Sequence, residues 1–258
     1  KFSLVFENNL NKNVIKELKL DSAKTILFVK FDPVEIDNKD VFVINNKKLE
    51  GDNFLGTDEE VSCAGMCYIL AKEENSSNRN LAYLGFLGCI AEKQEKDVFS
   101  KINNILLQEA IESKKIRLVK GLRIFPFQVK PIHKILEDNF YPFLPGISGN
   151  RENIMNFLKE INVNIKDDKG FKDLIDMPET ELKNIFSAVI IKTIGEIKGD
   201  VFGNLYIIKM TEETEDANGI ITYLETFVKL RKPHLGVALL FNNKKLRRDA
   251  IGRFYEFS

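Results

Sequence analysis

Tryptophan is absent from this chain of 258 residues, cysteine occurs three times and histidine twice. Each shortage excludes something. Cys63, Cys67 and Cys89 cannot make a disulfide framework, and an odd, sparse count points to reduced thiols inside a cell. Cys63 and Cys67 stand four apart, so on a helix they share a face. No further Cys or His follows at the spacing a zinc ion needs, and packing thiols are expected. His133 lies in a proline-flanked turn and His234 follows Pro233; without a carboxylate cluster beside them both read as structural or surface residues. Net charge is also missing: 38 basic and 38 acidic side chains cancel. Proteins that hold nucleic acid chiefly through phosphates carry a basic excess, so only a local patch is left for that role. No apolar run approaches the roughly 20 residues of a membrane span, and neither a membrane partner nor a secretory signal is expected. Phosphate loops, GxGxxG, HExxH and GxSxG elbows are absent as well, and no cofactor is expected. The chain opens on Lys1 rather than Met, as a trimmed chain or a fragment does.

What is present is ordinary apolar material for a core, 44% of the chain, with 20 Phe. The first 50 residues read as strand and helix in alternation: strands over Phe2–Phe6, Thr25–Phe31 and Asp40–Ile44, and a helix over Asn13–Leu18. Continuous apolar runs such as TILFVKF suit buried parallel strands, and strand–helix–strand order implies an α/β sheet. A loop rich in Asn, Gly and Asp spans 45–58. Helices are expected over 59–72, 80–90 and 97–113. In the second of these, Gly85 and Gly88 suit a helix lying tightly on a sheet. Residues 121–149, with four Pro and three Gly, read as a turn-rich connector holding one short helix near Ile132–Leu136. Ser148 marks the N-cap region of a helix over 152–161, and Pro178 opens another running to about 191. Leu205–Met210 and Gly236–Phe241 read as strands around a helix over 216–230, a second small β–α–β domain. The carboxylates Glu212, Glu213, Glu215 and Asp216 read as a solvated loop and helix N-terminus. Lys229, Arg231, Lys232, Lys244, Lys245, Arg247 and Arg248 form a basic C-terminal region, either a solvated helix face or a groove for single-stranded nucleic acid.

Three stretches carry a family resemblance. VSCAGMCYILAKE with NRNLAYLGFLGCIAEKQ, then KGLRIFPFQVKPIHKILEDNFYPFLPGISGNRENIMNFLKEINVNI, then TYLETFVKLRKPHLGVALLF together resemble the archaeal RecJ-like DHH phosphoesterases. The resemblance implies two α/β lobes, a DHH-like domain over 1–96 and a DHHA1-like domain over 196–258 (complete or truncated), joined by a helical connector over 97–195. It also implies a two-metal site, which needs several carboxylates and imidazoles converging on one point. Here the sequence departs from the family. Lys30 stands near the position of a family aspartate, and VINN (Ile44, Asn45, Asn46) replaces the DHH triplet. Glu92 takes the place of a later aspartate, and the family's Cys-Gly-Arg gives way near Val228–Leu230. Concerted loss of ligands implies a degenerate site in a non-catalytic protein similar to the eukaryotic cell division cycle forty-five family. That implies association with the GINS complex, the MCM helicase and single-stranded DNA, in the cytoplasm at the nucleoid. A divergent phosphoesterase drawing on Asp32, Asp37, Asp40 and Glu92 is the alternative.

Overall fold

The structure is a computed structural model. It describes residues 26–29, 41–48, 54–95, 99–123, 127–138, 144–168, 170–192, 202–210, 214–241 and 243–257. The expected strand over Phe2–Phe6 and helix over Asn13–Leu18 lie outside them, as do Lys30, Asp32, Asp37, Asp40, Glu212 and Glu213. The architecture is mixed α/β, and compactness divides the chain into Lys1–Lys115 and Ile116–Ser258.

In the first unit β1 (Ile26–Val29), β2 (Val41–Ile44) and β3 (Phe54–Leu55) form a parallel sheet in that order. The third strand falls in the stretch expected as loop. It is two residues long, too short to leave a periodic trace in sequence. Helix α1 (Cys63–Glu74) begins where the Ser62 side chain accepts from the Gly65 amide at 3.0 Å, a serine N-cap. A 3-10 turn (Ser76–Leu81) leads into α2 (Ala82–Ala91). Glycines 85 and 88 serve a helix pair rather than a helix on a sheet. A β-carbon at Gly88 would fall 2.6 Å from the Ala64 Cβ, and one at Gly85 3.3 Å from the Gly65 Cα. Helix α3 (Lys101–Glu112), expected to open the connector, packs on α2 inside this unit.

The second unit begins with β4 (Ile116–Leu122), a strand that sequence reasoning missed. Arg117 and Lys120 are exposed on it and only its ends are buried, so alternation is weak. It pairs antiparallel with β7 (Phe202–Lys209), and β7 pairs with β8 (Thr214–Asp216). Leu122 is the register partner of Phe202. Everything between them is therefore an excursion that leaves and re-enters the sheet at one point. It contains α4 (Ile132–Asp138), α5 (Arg151–Glu160), the hairpin of β5 (Lys166–Asp167) and β6 (Gly170–Phe171), and α6 (Glu179–Lys192). Its buried residues include Ile132, Ile135, Leu144, Ile154, Phe157, Leu158, Leu174 and Ile185. The cap of α5 is Asn150, whose side chain accepts from the Asn153 amide, rather than Ser148, whose hydroxyl accepts from the Leu144 amide.

After β8 come α7 (Ala217–Lys229), α8 (Pro233–Leu240) and α9 (Lys244–Phe257), which pack on one another. The strand expected at Gly236–Phe241 is helical. Pro233 occupies the first turn, where its missing N–H costs nothing, and Gly236 and Leu239 are buried three apart. A short apolar run of this kind fits either state by periodicity alone. No helix among the described residues is long and apolar enough to cross a membrane.

Candidate functional site

Two of the positions at which the sequence departs from the family resemblance, Asn46 and Glu92, meet in the first unit. Where β2 ends, Asn45 is buried, and its amide N–H extends the β2–β3 ladder to the Leu55 carbonyl at 3.0 Å. Its side-chain oxygen accepts from the Lys47 amide at 3.2 Å, turning the chain. That turn presents Asn46, whose Nδ2 donates to Glu92 Oε2 at 2.8 Å. Glu92 caps the C-terminal end of α2. Gln94 Nε2 donates to the same oxygen at 3.3 Å, and Gln94 Oε1 accepts from the buried Asn103 Nδ2 at 3.1 Å. Asn46 of VINN and Glu92 of IAEK thus meet, while Lys30 lies outside the described residues.

Among the described residues, the donor set around Glu92 does not match a two-metal centre. Metal ligands present lone pairs, whereas the Asn46 and Gln94 amides present hydrogens to the carboxylate. Flipping Asn46 would set oxygen against oxygen, so the carboxylate fixes the amide's orientation. Among the described residues no three His, Cys, Asp or Glu side chains gather as a ligand group. The cysteines are packing residues: Cys63 and Cys89 are buried and Cys67 half-buried. Burial, reinforced by neighbouring groups, pushes the Cys67 thiol up to about 11 and the Cys89 thiol up to about 12.

The basic residues of the second unit divide into two groups. Lys229 and Arg231 are exposed and Lys232 half-buried at the α7–α8 corner; Lys244, Lys245 and Arg248 are exposed on the first turns of α9. Helix α8, eight residues and so about 12 Å long, separates them. Arg247 is 2% exposed. It belongs to the interior, where it contributes to the surroundings of Tyr223, and not to a phosphate-facing surface.

Sequence reasoning missed a second polar constellation, in this unit. Glu215 and Asp216, read as solvated, are 5% and 1% exposed. Asp216 is the N-cap of α7, which does match the expected helix terminus. Its Oδ1 accepts from the Gly219 amide at 3.0 Å and its Oδ2 from the Gln128 amide at 2.8 Å. Burial and the Asp216 charge push the Glu215 carboxyl up to about 8. Burial raises Asp216 too, while the main-chain donors of Gln128 and Gly219 favour its charged form. Lys130 reaches toward them. Its Nζ lies 3.9 Å from the Phe127 ring centre, 5.0 Å from that of Tyr255 and 5.7 Å from that of Tyr223, and donates to both tyrosine hydroxyls. The sequence signal was Asp216 three residues before Gly219, a capping spacing. Nothing local marks Lys130 as its neighbour 86 positions earlier.

A family model described as the DHH-CID domain matches residues 124–199. The match falls within the excursion between the paired residues Leu122 and Phe202, and it supports a DHH-family relationship for the chain. No curated protein matches the chain.

Proposed function

We propose that this chain is a non-catalytic DHH-family subunit of the replication fork, binding the GINS complex and supporting the MCM helicase in the cytoplasm at the nucleoid. The observation that carries the reading is the Asn46–Glu92 hydrogen bond in a chain whose residues 124–199 match a DHH-CID domain. In this reading an amide stands at a family ligand position, and its N–H donates to the carboxylate of Glu92. In this reading the first unit is the degenerate DHH-like lobe and the second the DHHA1-like lobe. A fold retained without its chemistry keeps value as a binding surface. The exposed cations Lys229, Arg231, Lys244, Lys245 and Arg248, with half-buried Lys232, offer a place for single-stranded DNA beside the protein partners.

The test is capture of the full chain by purified GINS at micromolar concentration, followed by unwinding with MCM. Complex formation with faster unwinding is expected. Absence of a complex, together with manganese-dependent release of nucleotides that is lost in Glu92→Ala, would overturn the proposal in favour of a divergent phosphoesterase.

A further inference from the structure

Asn218–Gly219 is the one Asn-Gly pair in the sequence, and it stands in the first turn of α7. Such a pair can modify itself. The Gly219 nitrogen attacks Asn218 Cγ, loses its proton and expels ammonia, which closes a succinimide ring. Water then opens the ring to aspartate or isoaspartate. Glycine favours the first step because it sets no β-carbon beside the attacking nitrogen and lets the backbone turn freely.

Packing imposes the pair. A β-carbon at Gly219 would fall 2.9 Å from the Phe127 ring, 3.0 Å from Asp216 Oδ2 and 3.1 Å from Glu215 Oε1, so larger residues are excluded there. The same surroundings restrain it. Gly219 is the third residue of its helix, where an amide finds no carbonyl in the helix backbone and a side chain must serve instead. Asp216 Oδ1 takes that hydrogen at 3.0 Å, so the nitrogen that would attack is the capped one. A carboxylate beside it disfavours loss of the proton that cyclisation must remove. At the other end of this peptide unit the Thr222 hydroxyl donates to the Asn218 carbonyl at 2.8 Å. Asn218 is half-buried, open to the water that hydrolyses the ring. The second carboxylate oxygen of Asp216 accepts from the Gln128 amide at 2.8 Å, which fixes the cap in place from the root of the excursion.

We propose that Asn218 is a self-modification site of this chain and that Asp216 is its gate: the cap that starts α7 also holds the reactive nitrogen, and opening of that first turn commits Asn218 to aspartate or isoaspartate. Isoaspartate lengthens the main chain by one carbon at the point where Gly219 packs on Phe127.

The experiment is incubation of the full chain at mildly alkaline pH, folded and in urea, with conversion at each asparagine followed by peptide mass spectrometry. Asn75, exposed and followed by Ser76, is the internal reference. In urea Asn218 should convert faster than any other asparagine. On folding it should slow by at least about tenfold, because attack then requires local opening of the first turn. In folded Asp216→Ala the rate at Asn218 should rise roughly 5- to 30-fold, the gain in open population when a helix cap is lost, with Asn75 unchanged. Asp216→Asn keeps an acceptor but removes the charge, and its rate should lie between the two. Equal rates at Asn218 in the folded and unfolded wild type would overturn the proposal, as would a folded Asp216→Ala chain that converts no faster than wild type. If Asp216→Ala fails to fold, Asp216→Asn decides: a rate no higher than wild type overturns the gate.

Discussion

Asn46 and Glu92, 46 positions apart, are joined by a 2.8 Å hydrogen bond that ties the end of β2 to the end of α2. In the reading proposed above, Asn46 stands at the position of a metal ligand. Asn46→Asp should therefore set two carboxylates against each other and remove a hydrogen bond, at a cost of about 1–3 kcal/mol. Manganese should offset part of that cost in the variant, by about 1.4 kcal/mol at a tenfold excess over its dissociation constant. Thermal melting with and without manganese reads both effects. An equal manganese shift in the wild-type protein would show that the native residues already bind the ion.

The readable part of the chain was the part governed by local rules. Val41–Ile44 as a parallel strand, α1 to α3, α6 and α7 all follow from apolar runs, periodicity and caps. The resemblance singled out Asn46 and Glu92, and their side chains are hydrogen-bonded. What could not be read depended on distant partners. The strand β4 shows its pattern only against β7, and α8 resembles a strand until Pro233 is weighed. Glu215 looks solvated because the loop that buries it is 85 positions away. Burial of Arg247 is illegible for the same reason: a run of basic residues gives no sign of which one faces inward.

Glu109 in α3 illustrates a buried charge that is fully answered. The Tyr68 hydroxyl donates to it, Lys72 Nζ lies 2.5 Å away and Arg79 Nε 3.5 Å. Burial alone would raise its pKa, but Lys72, Tyr68 and Arg79 outweigh burial and hold it below the usual glutamate value of 4.5. The unit should keep this stabilisation above pH 4.5 and lose it as pH falls through the lowered value. Tyr68→Phe should cost about 1–3 kcal/mol at pH 7 in urea denaturation. A cost near zero would mean that water replaces the hydroxyl freely.

Lys244 and Lys245 sit in the first turn of α9, where Asn243 Oδ1 accepts from the Lys245 and Leu246 amides at 3.1 Å. Cations there oppose the positive end of the helix dipole. Changing both to Glu should stabilise the protein by about 0.3–1 kcal/mol each at low salt. If the same surface holds single-stranded DNA, affinity for an oligonucleotide falls and the log–log salt slope shrinks by about 0.7 for each phosphate no longer neutralised. Higher melting temperature with unchanged DNA affinity would remove these two residues from any nucleic-acid surface.

His133 lies at the opposite side of the question, a titratable group that the fold keeps neutral. It is 3% exposed, its ring stacks on Phe171 with centres 4.3 Å apart, and its Nδ1 is buried without a hydrogen bond among the described residues. Burial chiefly, then Lys134 and Arg151, depresses its pKa below 6.5, against the opposing pull of Glu137 and Asp138. The unfolded chain therefore takes up this proton first as pH falls. Stability should be complete above pH 6.5 and decline below it until the folded-state value is reached. His133→Phe keeps an aromatic ring against Phe171 and removes the unsatisfied nitrogen, so it should gain about 1 kcal/mol at neutral pH. The histidine part of the acid-side decline should vanish with it, leaving only carboxylate effects below about pH 5. Denaturation midpoints of the two proteins across the histidine titration range test this directly. Parallel curves would show that His133 finds a partner or water when protonated, and that the β5–β6 hairpin opens to admit it.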